Sequence, residues 1–260
     1  MIGRSEEYAK MFELEGRLWW YRSLHERVQT ILAQQFGNRR DIRVLDAGCG
    51  TGGMLDFLRK QGYTDIKGID GSDDAVTFCH ERSLSVTKVD LKHLAHFEPE
   101  VRYDAVLCND IFCYFTESEL PPLLAALANR LKPDGILITN NNAFSIFRGQ
   151  HDIAVGILRR FVLADFTPLM PAAGLRISQS TYWSFLLSPL ILLMRQWQRL
   201  GLALGWQTAE NARSDVYLPS TWLNETLYQV AHTEQNLFAR TPFGSSLLMV
   251  LKKSHKSKKS

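Results

Sequence analysis

A short apolar strand followed by a glycine-rich loop constrains this chain more than any other stretch. Residues 42–53 are IRVLDAGCGTGG, in which apolar and β-branched residues lead into Asp46 and four glycines follow. Residues 54–60 then predict a helix. Glycine lets the backbone turn tightly and approach a ligand closely, and a helix N-terminus offers unpaired N–H groups. A strand, a glycine loop and a helix in this order predict a nucleotide-binding α/β domain.

The type of nucleotide depends on the acid before the loop. Gly48–Gly53 matches the dinucleotide fingerprint GxGxxG, but a carboxylate at Asp46 would repel a pyrophosphate at short range. The same carboxylate suits S-adenosylmethionine, which carries an ammonium and a sulfonium and no phosphate. A second acid, Asp70, ends the predicted strand 65–69, 20 residues after Gly50. An acid at that position binds ribose hydroxyls, although a turn residue in Asp-Gly-Ser is the alternative.

Five motifs in the same order resemble those of class I S-adenosylmethionine-dependent methyltransferases. They are LDAGCGTG at 45–52, Asp70, VDL at 89–91, YDAVLCND at 103–110 and LKPDG at 131–135. The resemblance covers roughly residues 40–140 and implies an α/β fold with a doubly wound, seven-stranded, mostly parallel sheet whose last strand is antiparallel. It implies S-adenosyl-L-methionine as the cofactor, bound by Asp46, Gly48, Cys49, Gly50, Gly52, Asp70, Gly71, Asp90, Leu91, Asn109 and Asp110.

The N-terminal segment predicts a helical cap over residues 1–38. Apolar residues recur at mostly helical spacing over 5–37. Within it, residues 18–25 (LWWYRSLH) hold more aromatic and charged side chains than a core face needs. Similar Trp-Trp-Tyr-Arg segments occur at this position in a subset of the family. That resemblance implies a lid that brings Tyr21 and Arg22 to the cofactor. The alternative is a helix packed on the sheet.

The residue that removes a proton from the acceptor is less clearly indicated. Amino-methyltransferases of the family carry Asp/Asn-Pro-Pro-aromatic after the fourth strand, whereas residues 109–112 are NDIF. The Glu-His pair of many small-molecule members is also absent there. The missing prolines disfavour an amide or exocyclic-amine acceptor, so O- or C-methylation is favoured. The missing Glu-His pair means that the usual histidine base of those members cannot be carried over. The candidate catalytic residues are His25, Asp110 and His151, with Tyr21 as a further candidate.

The rest of the chain predicts additions to one domain. The cofactor domain comprises 39–183 and 242–252, and 184–241 is a helical insertion that covers the substrate. The apolar run 185–194 (FLLSPLILLM) is shorter than the roughly 20 residues that a membrane span needs. It predicts a helix over the active site, an interfacial helix or a dimer surface. Residues 206–220 predict a loop, and 253–260 predict a disordered lysine-rich tail.

Composition narrows the partners. The net charge is +3, but residues 252–260 hold five lysines and no acid, which leaves 25 basic against 27 acidic residues elsewhere. A near-neutral body argues against nucleic acid as the substrate and leaves a small-molecule, lipid-like or glycan-linked acceptor. The four cysteines form no CxxC pair, so no metal site or disulfide is expected. Reduced thiols and an N-terminus without an apolar run favour the cytoplasm, with peripheral membrane contact through 185–199 and the tail.

Two other functions stay open at this stage. An NAD-dependent oxidoreductase would keep the glycine loop and Asp70, but it conflicts with Asp46 and lacks a convincing Tyr-x-x-x-Lys pair. A catalytically inactive scaffold that binds S-adenosylmethionine would keep every cofactor motif, because a fold alone does not settle function.

Overall fold

A seven-stranded sheet organises the computed structural model, which describes residues 5–203 and 217–254. The strand order is β3-β2-β1-β4-β5-β7-β6. The strands are β1 (Val44–Ala47), β2 (Ile66–Asp70), β3 (Val86–Lys88), β4 (Tyr103–Leu107), β5 (Leu131–Asn142), β6 (Leu175–Trp183) and β7 (Ser246–Lys253). The first five strands pair in parallel, and β7 pairs antiparallel with both β5 and β6. The predicted doubly wound α/β class is confirmed.

Helices cover both faces of this sheet. They are α1 (Ser5–Leu14), α2 (Trp19–Phe36), α3 (Gly53–Lys60), α4 (Asp73–Glu81), α5 (Leu120–Asn129), α6 (Gln150–Ala154), α7 (Leu163–Phe166), α8 (Ser188–Ala203) and α9 (Thr221–Leu237). Side chains alternate between two cores along the strands, so that Val44 packs with α2 and α3 while Leu45 packs on the α5 side. A sheet buried on both faces needs nearly continuous apolar strands, as β1 and β4 have.

The predicted N-terminal helix is broken between α1 and α2. Asn224 of α9 accepts a hydrogen bond from the Trp19 N–H (2.9 Å), and its amide donates to the Arg17 carbonyl (2.9 Å). A side chain more than 200 positions away therefore satisfies backbone groups at the break. Apolar spacing could not reveal the break, because both helices bury apolar residues.

Two further elements are irregular. Residues 161–173 form only the short helix α7 and a 3-10 turn at Thr167–Leu169, since Pro168 and Pro171 lack the N–H that a longer helix would need. Strand β5 is long and contains a register shift opposite β4. Gly135 lies at this irregularity, where an added Cβ would be 2.9 Å from the Tyr103 carbonyl oxygen.

The last strand lies inside the sheet. It is antiparallel, as predicted, and it inserts between β5 and β6, so that β6 forms the edge of the sheet. Strand β7 continues through Lys253, whose ammonium donates to the Leu131 carbonyl. The predicted disordered tail 253–260 therefore began one residue too early, because Lys253 belongs to the sheet, and 255–260 lie outside the described residues. The same is true of 204–216, most of the predicted loop 206–220.

The apolar run of the insertion forms the first part of α8. Leu190, Leu193 and Trp197 are 56%, 70% and 68% exposed along one side of this helix. The opposite side packs near the 3-10 turn Ser145–Phe147, where Arg199 donates to the Ile146 carbonyl (2.9 Å). Among the helices in the described ranges, none combines the length and hydropathy that a bilayer crossing requires.

Candidate cofactor and acceptor site

The carboxyl ends of β1 and β4 frame the site. Strand order reverses between these two neighbours, and ligands of doubly wound folds bind at such a switch point. Asp46 is the residue before the last in β1, and Asp110 follows β4. Ile111 joins the two sides, because a Cβ added at Gly48 would lie 2.3 Å from its Cδ1 atom. The predicted cofactor loop and the predicted acceptor segment are thus in direct contact.

The glycine loop adopts backbone conformations that other residues avoid. Gly48 and Gly50 have φ angles of +81° and +53°, in the left-handed region that glycine enters without a Cβ clash. The Gly48 N–H donates to the carbonyl of Ile69 in β2 (2.8 Å), which ties the loop to the neighbouring strand. The loop therefore presents bare backbone at the open end of the sheet.

Asp70 holds the loop and the start of the next turn. One carboxylate oxygen accepts the Gly50 N–H and the other accepts the Ser72 N–H, both at 2.9 Å. Asp70 is buried, and burial raises its pKa while these hydrogen bonds oppose the rise. The acid predicted to bind ribose thus lies 20 positions after Gly50 in sequence and directly beside it in space.

Three buried carboxyl groups surround the loop. Burial, with Asp70 and Glu15 nearby, raises the pKa of Asp46 to about 8. Burial raises the pKa of Glu15 to about 7, although the Arg82 guanidinium 2.9 Å away opposes the rise. Glu15 also accepts a hydrogen bond from the Thr51 hydroxyl. A concentration of acids with one partly buried cation is suited to a cationic ligand and unsuited to a phosphate.

Helix α1, which belongs to the predicted cap 1–38, covers this region, whereas the lid was expected from residues 18–25. Met11 approaches the loop closely, because a Cβ added at Gly50 would lie 2.9 Å from its Sδ atom. Tyr8 is buried, and burial together with the Asp70 carboxylate raises its pKa to about 12. Arg82 of the α4 side donates to the Phe12 carbonyl (2.8 Å) and stacks on the Phe12 ring.

The segment 18–25 divides its side chains between several neighbours. Trp20 stacks on Trp183 with ring centroids 5.5 Å apart, as in a helix packed on the sheet. Arg22 makes an ion pair with Glu225 (2.8 Å) and lies 3.7 Å from the Tyr228 ring centroid, both on α9. In this geometry the Arg22 guanidinium is directed to α9, and its predicted contact with the cofactor stays a prediction. Successive residues of a helix point about 100° apart, so Arg22 points in a different direction from Tyr21.

Tyr21, by contrast, faces the site. Burial raises the pKa of Tyr21, and the carboxyl groups of Glu15 on the cofactor side and Asp110 on the acceptor side add to that rise. The ring contacts Trp20 edge-on at 5.1 Å. Tyr21 thus stays a candidate at the boundary between cofactor and acceptor.

The other predicted cofactor residues occupy different depths. Leu91 is buried, with its Cδ1 3.6 Å from a Cβ added at Gly48, whereas Asp90 is exposed and caps the 3-10 turn Leu91–His96 through the Lys92 N–H. The Cys49 side chain points into a small core with Leu55 and Cys79, so only its backbone can face a ligand. Gly71 lies in the turn after β2, where Asp70 accepts from the backbone. Gly52 caps α3 in the left-handed conformation.

Asp110 is the most strongly supported acid of the acceptor side. Its φ is +56°, a rare value for a non-glycine residue. Its N–H donates to the Asn140 carbonyl (2.8 Å), and the Asn140 amide donates to both carboxylate oxygens (3.1 and 3.0 Å). Burial raises the pKa of Asp110 to about 7, with Asn140 and Arg160 opposing the rise. Asn109 supports the same turn, since its side-chain oxygen accepts the Asn140 N–H (3.0 Å).

The two candidate histidines differ from Asp110. His25 is buried against Phe57 with ring centroids 5.2 Å apart, and burial lowers its pKa to about 3. So weak a base is poorly matched to proton removal near neutral pH. His151 is half-buried on α6 beside Asp152, whose carboxylate binds Arg160 at 2.7 Å. His151 thus lies beyond the end of β5. Its neighbour Asp152 binds Arg160, the cation that opposes the rise in the pKa of Asp110.

Fold and site together define a doubly wound α/β protein with a glycine loop at its switch point. The glycine loop, Asp70 and the acidic surroundings of Asp46 fit a nucleoside that carries positive charge. Residues 19–177, more than half of the chain, match the family model described as "Methyltransferase domain". The chain therefore belongs to the methyltransferase domain family.

Curated relatives match part of the chain. It is 25% identical over 146 residues to the ubiquinone biosynthesis O-methyltransferase of Neisseria meningitidis serogroup C (strain 053442), a match covering 50% of this chain and 59% of that protein. It is 24% identical over 183 residues to the protein of the same name from Rickettsia bellii (strain OSU 85-389), covering 65% and 73%. The match to the Neisseria protein spans less than two thirds of its length.

Solved structures share the fold. An S-adenosylmethionine-dependent methyltransferase from Clostridium acetobutylicum superposes with a TM-score of 0.55 at 12% identity, covering 90% of this chain and 92% of that one. A SAM-dependent methyltransferase from Archaeoglobus fulgidus gives 0.53 at 18% identity, covering 88% and 94%. At these identities the likeness establishes the fold.

Proposed function

We propose that this protein transfers a methyl group from S-adenosylmethionine to a hydroxyl of a small-molecule or lipid-like acceptor. The observation that carries the proposal is the half-buried Asp110 carboxyl group, which the Asn140 amide holds next to Ile111 at the glycine loop and whose pKa is raised to about 7. The family and the O-methyltransferase names of the curated relatives support the same chemistry. Methylation of an activated carbon is the second acceptor chemistry, because it also needs a base.

The cofactor would be held by the residues around the glycine loop. Asp70 would accept hydrogen bonds from ribose hydroxyls, and the backbone of Gly48 and Gly50 would lie against the ligand. Asp46 would complement the positive charge of the ammonium or sulfonium. Leu91 and Ile111 would supply apolar contacts on either side of Gly48. When bound, S-adenosylmethionine supplies an electrophilic methyl group on a sulfonium.

The protein itself would position the cofactor and the acceptor, exclude water from the reacting centre and accept one proton. Helix α1, together with Glu15, would cover the loop and limit water at the reacting centre. Asp110 would take the proton of the acceptor hydroxyl as that oxygen attacks the methyl carbon. A base with a pKa near the working pH combines a useful ionised fraction with useful basicity. Tyr21 would border the space between the two ligands, and His151 is the second candidate base.

The cofactor test is calorimetric titration of the protein with S-adenosylmethionine, S-adenosylhomocysteine and NAD. We expect saturable binding of the first two and none of NAD. Binding of NAD alone would overturn the proposal and our use of Asp46 as a discriminator. Binding of the adenosyl compounds without methyl transfer to any acceptor would favour the inactive-scaffold alternative.

The acceptor test measures transfer of a labelled methyl group to a panel of phenols, lipid-linked phenols and glycan-linked alcohols. Asp110→Asn should abolish most of the transfer while it leaves S-adenosylhomocysteine binding intact, because positioned acid–base catalysis contributes roughly 100-fold or more. Transfer at the wild-type rate by Asp110→Asn would remove Asp110 from the mechanism. A parallel loss in His151→Gln would move the base to α6.

A lipid surface is the partner that we propose for the outer side of α8. Its exposed residues Leu190, Leu193 and Trp197 combine aliphatic side chains with an indole, a composition typical of interfacial helices. The three lysines that follow β7, Lys256, Lys258 and Lys259, would add attraction to anionic lipid of about 1 kcal/mol for each lysine near the surface. Such contact would place the catalytic domain beside a lipid-like acceptor.

Vesicle flotation tests this contact. Wild-type protein should float with phosphatidylglycerol-containing vesicles and less with pure phosphatidylcholine. Leu193→Glu with Trp197→Glu should abolish flotation, whereas Trp222→Glu, an equally exposed tryptophan on α9, serves as the matched control. Concentration-dependent dimerisation that is lost in the double variant, without flotation of wild type, would identify the surface as a dimer contact instead.

A further inference from the structure

We infer that Trp183 and Asn140 are positioning residues for Asp110: the indole N–H locks the Asn140 amide so that its NH₂ group faces the carboxylate. The hydrogen bonds run in one direction, from Trp183 Nε1 to Asn140 Oδ1 (2.8 Å) and from Asn140 Nδ2 to both oxygens of Asp110. The inference deepens the proposed function, because it explains how the proposed base is kept ready.

The chemistry of the indole decides the orientation of the amide. An indole N–H can only donate, so the amide atom that it contacts must be the oxygen. Rotation of the Asn140 amide would set two donors against each other at Trp183 and direct an acceptor at the carboxylate. Asn140 and Trp183 are both fully buried, so water cannot take over either bond.

Trp183 is itself held from several sides. Its ring stacks on Trp20 and lies 5.0 Å from the Arg27 guanidinium, which is buried and paired with Glu234 of α9. Its backbone leaves no room at Gly244, where an added Cβ would be 2.1 Å from the Trp183 carbonyl oxygen. The last residue of β6 is therefore fixed by α2, α9 and the approach to β7 together.

The carboxylate depends on these donors because little else balances it. Arg160 supplies the opposing positive charge. The remaining titratable neighbours are tyrosines and cysteines, which are neutral when protonated and negative when ionised, so they cannot balance the carboxylate. Those neighbours come from α2, the end of β4 and the 3-10 turn Phe112–Tyr114, and they are Tyr21, Cys108, Cys113 and Tyr114. Loss of the amide donors would therefore favour the protonated acid, which cannot accept a proton from an acceptor hydroxyl.

The test is a carbon-13 NMR titration of the Asp110 carboxyl in the full-length protein, with the signal assigned by its absence in Asp110→Asn. Trp183→Phe keeps an aromatic ring and removes only the N–H, and Asn140→Leu removes the amide at similar volume. We expect both variants to raise the apparent pKa of Asp110 by roughly one pH unit, a tenfold change in its proton dissociation constant. Trp20→Phe, which alters the stack but not the hydrogen bonds, should leave that pKa unchanged.

The titration separates this inference from the proposed function, because it needs neither cofactor nor acceptor. An unchanged Asp110 titration in folded Trp183→Phe would overturn the inference, as would an equal rise in Trp20→Phe. If methyl transfer is also observed, the acid limb of the pH profile of kcat should move upward by the same amount in both variants. A raised pKa without any methyl transfer would sustain the hydrogen-bonded relay and reject the proposed reaction.

Discussion

The two halves of the crevice are built in different ways. The cofactor half, around β1 and β2, uses backbone from one short loop and the acid that follows the next strand. The acceptor half, around β4 and β5, uses side chains that the chain supplies from residues 109, 110, 140 and 183. The backbone of the first half is formed by residues close together in sequence, whereas the second half exists only when three strands and two helices are packed.

The largest effect should come from filling the loop. Gly50→Arg places a side chain at φ +53° and against Met11, so we expect S-adenosylhomocysteine binding to weaken by roughly 100-fold or more, a loss of about 3 kcal/mol. Calorimetry measures this loss. Gly37→Arg, also at positive φ but with open space around it, controls for backbone strain. Similar loss in both variants would mean that strain, not the ligand contact, explains the effect.

The acid of the cofactor half should come next. Asp70→Ala removes the acceptor of the Gly50 and Ser72 N–H groups and the proposed ribose partner, so binding should weaken about 10- to 100-fold. Asp70→Asn should weaken binding less, since it retains one acceptor oxygen. The dissociation constants of both variants should be measured beside wild type. Normal cofactor binding by Asp70→Ala would refute the proposed contact between Asp70 and the ribose.

Stability should depend on pH through the buried acids. The pKa of Asp46 rises from its ordinary 3.8 to about 8, so the folded protein binds a proton that the unfolded chain releases. Stability from this group is full below about pH 4 and is lost as pH rises toward 8, with a decline of roughly 2 kcal/mol between pH 6 and 8. Urea unfolding measures it. Asp46→Asn should flatten the slope, whereas exposed Asp65→Asn should not.

The smallest effect should come from Arg22. Because its guanidinium pairs with Glu225 and Tyr228, Arg22→Ala should change cofactor binding by less than about twofold and lower the free energy of unfolding by about 1 kcal/mol. Calorimetry and urea unfolding report the two quantities separately. A tenfold loss of cofactor binding would return Arg22 to the cofactor half and show that α2 rearranges when the ligand binds.

Sequence patterning was sufficient for the parts of the site that are local. The apolar strand, the positive-φ glycines and the acid 20 positions later follow from backbone geometry that any packing of this domain must respect. For that reason the class of fold and the arrangement of Asp46, Gly48, Gly50 and Asp70 were predictable. The order of the motifs also identified Asn109 and Asp110 as lying at the switch point.

Tertiary structure alone decided the rest, because contacts between distant residues depend on how elements pack. Asn224 of α9 satisfies a backbone N–H at the break before α2. Helix α1 packs on the glycine loop, and its neighbour Glu15 adds a third buried acid there. Apolar residues at helical spacing indicate that a helix packs against another element, but they do not show which neighbour the helix contacts. The link from Trp183 through Asn140 to Asp110 likewise arises only when β6, β5 and β4 come into one sheet.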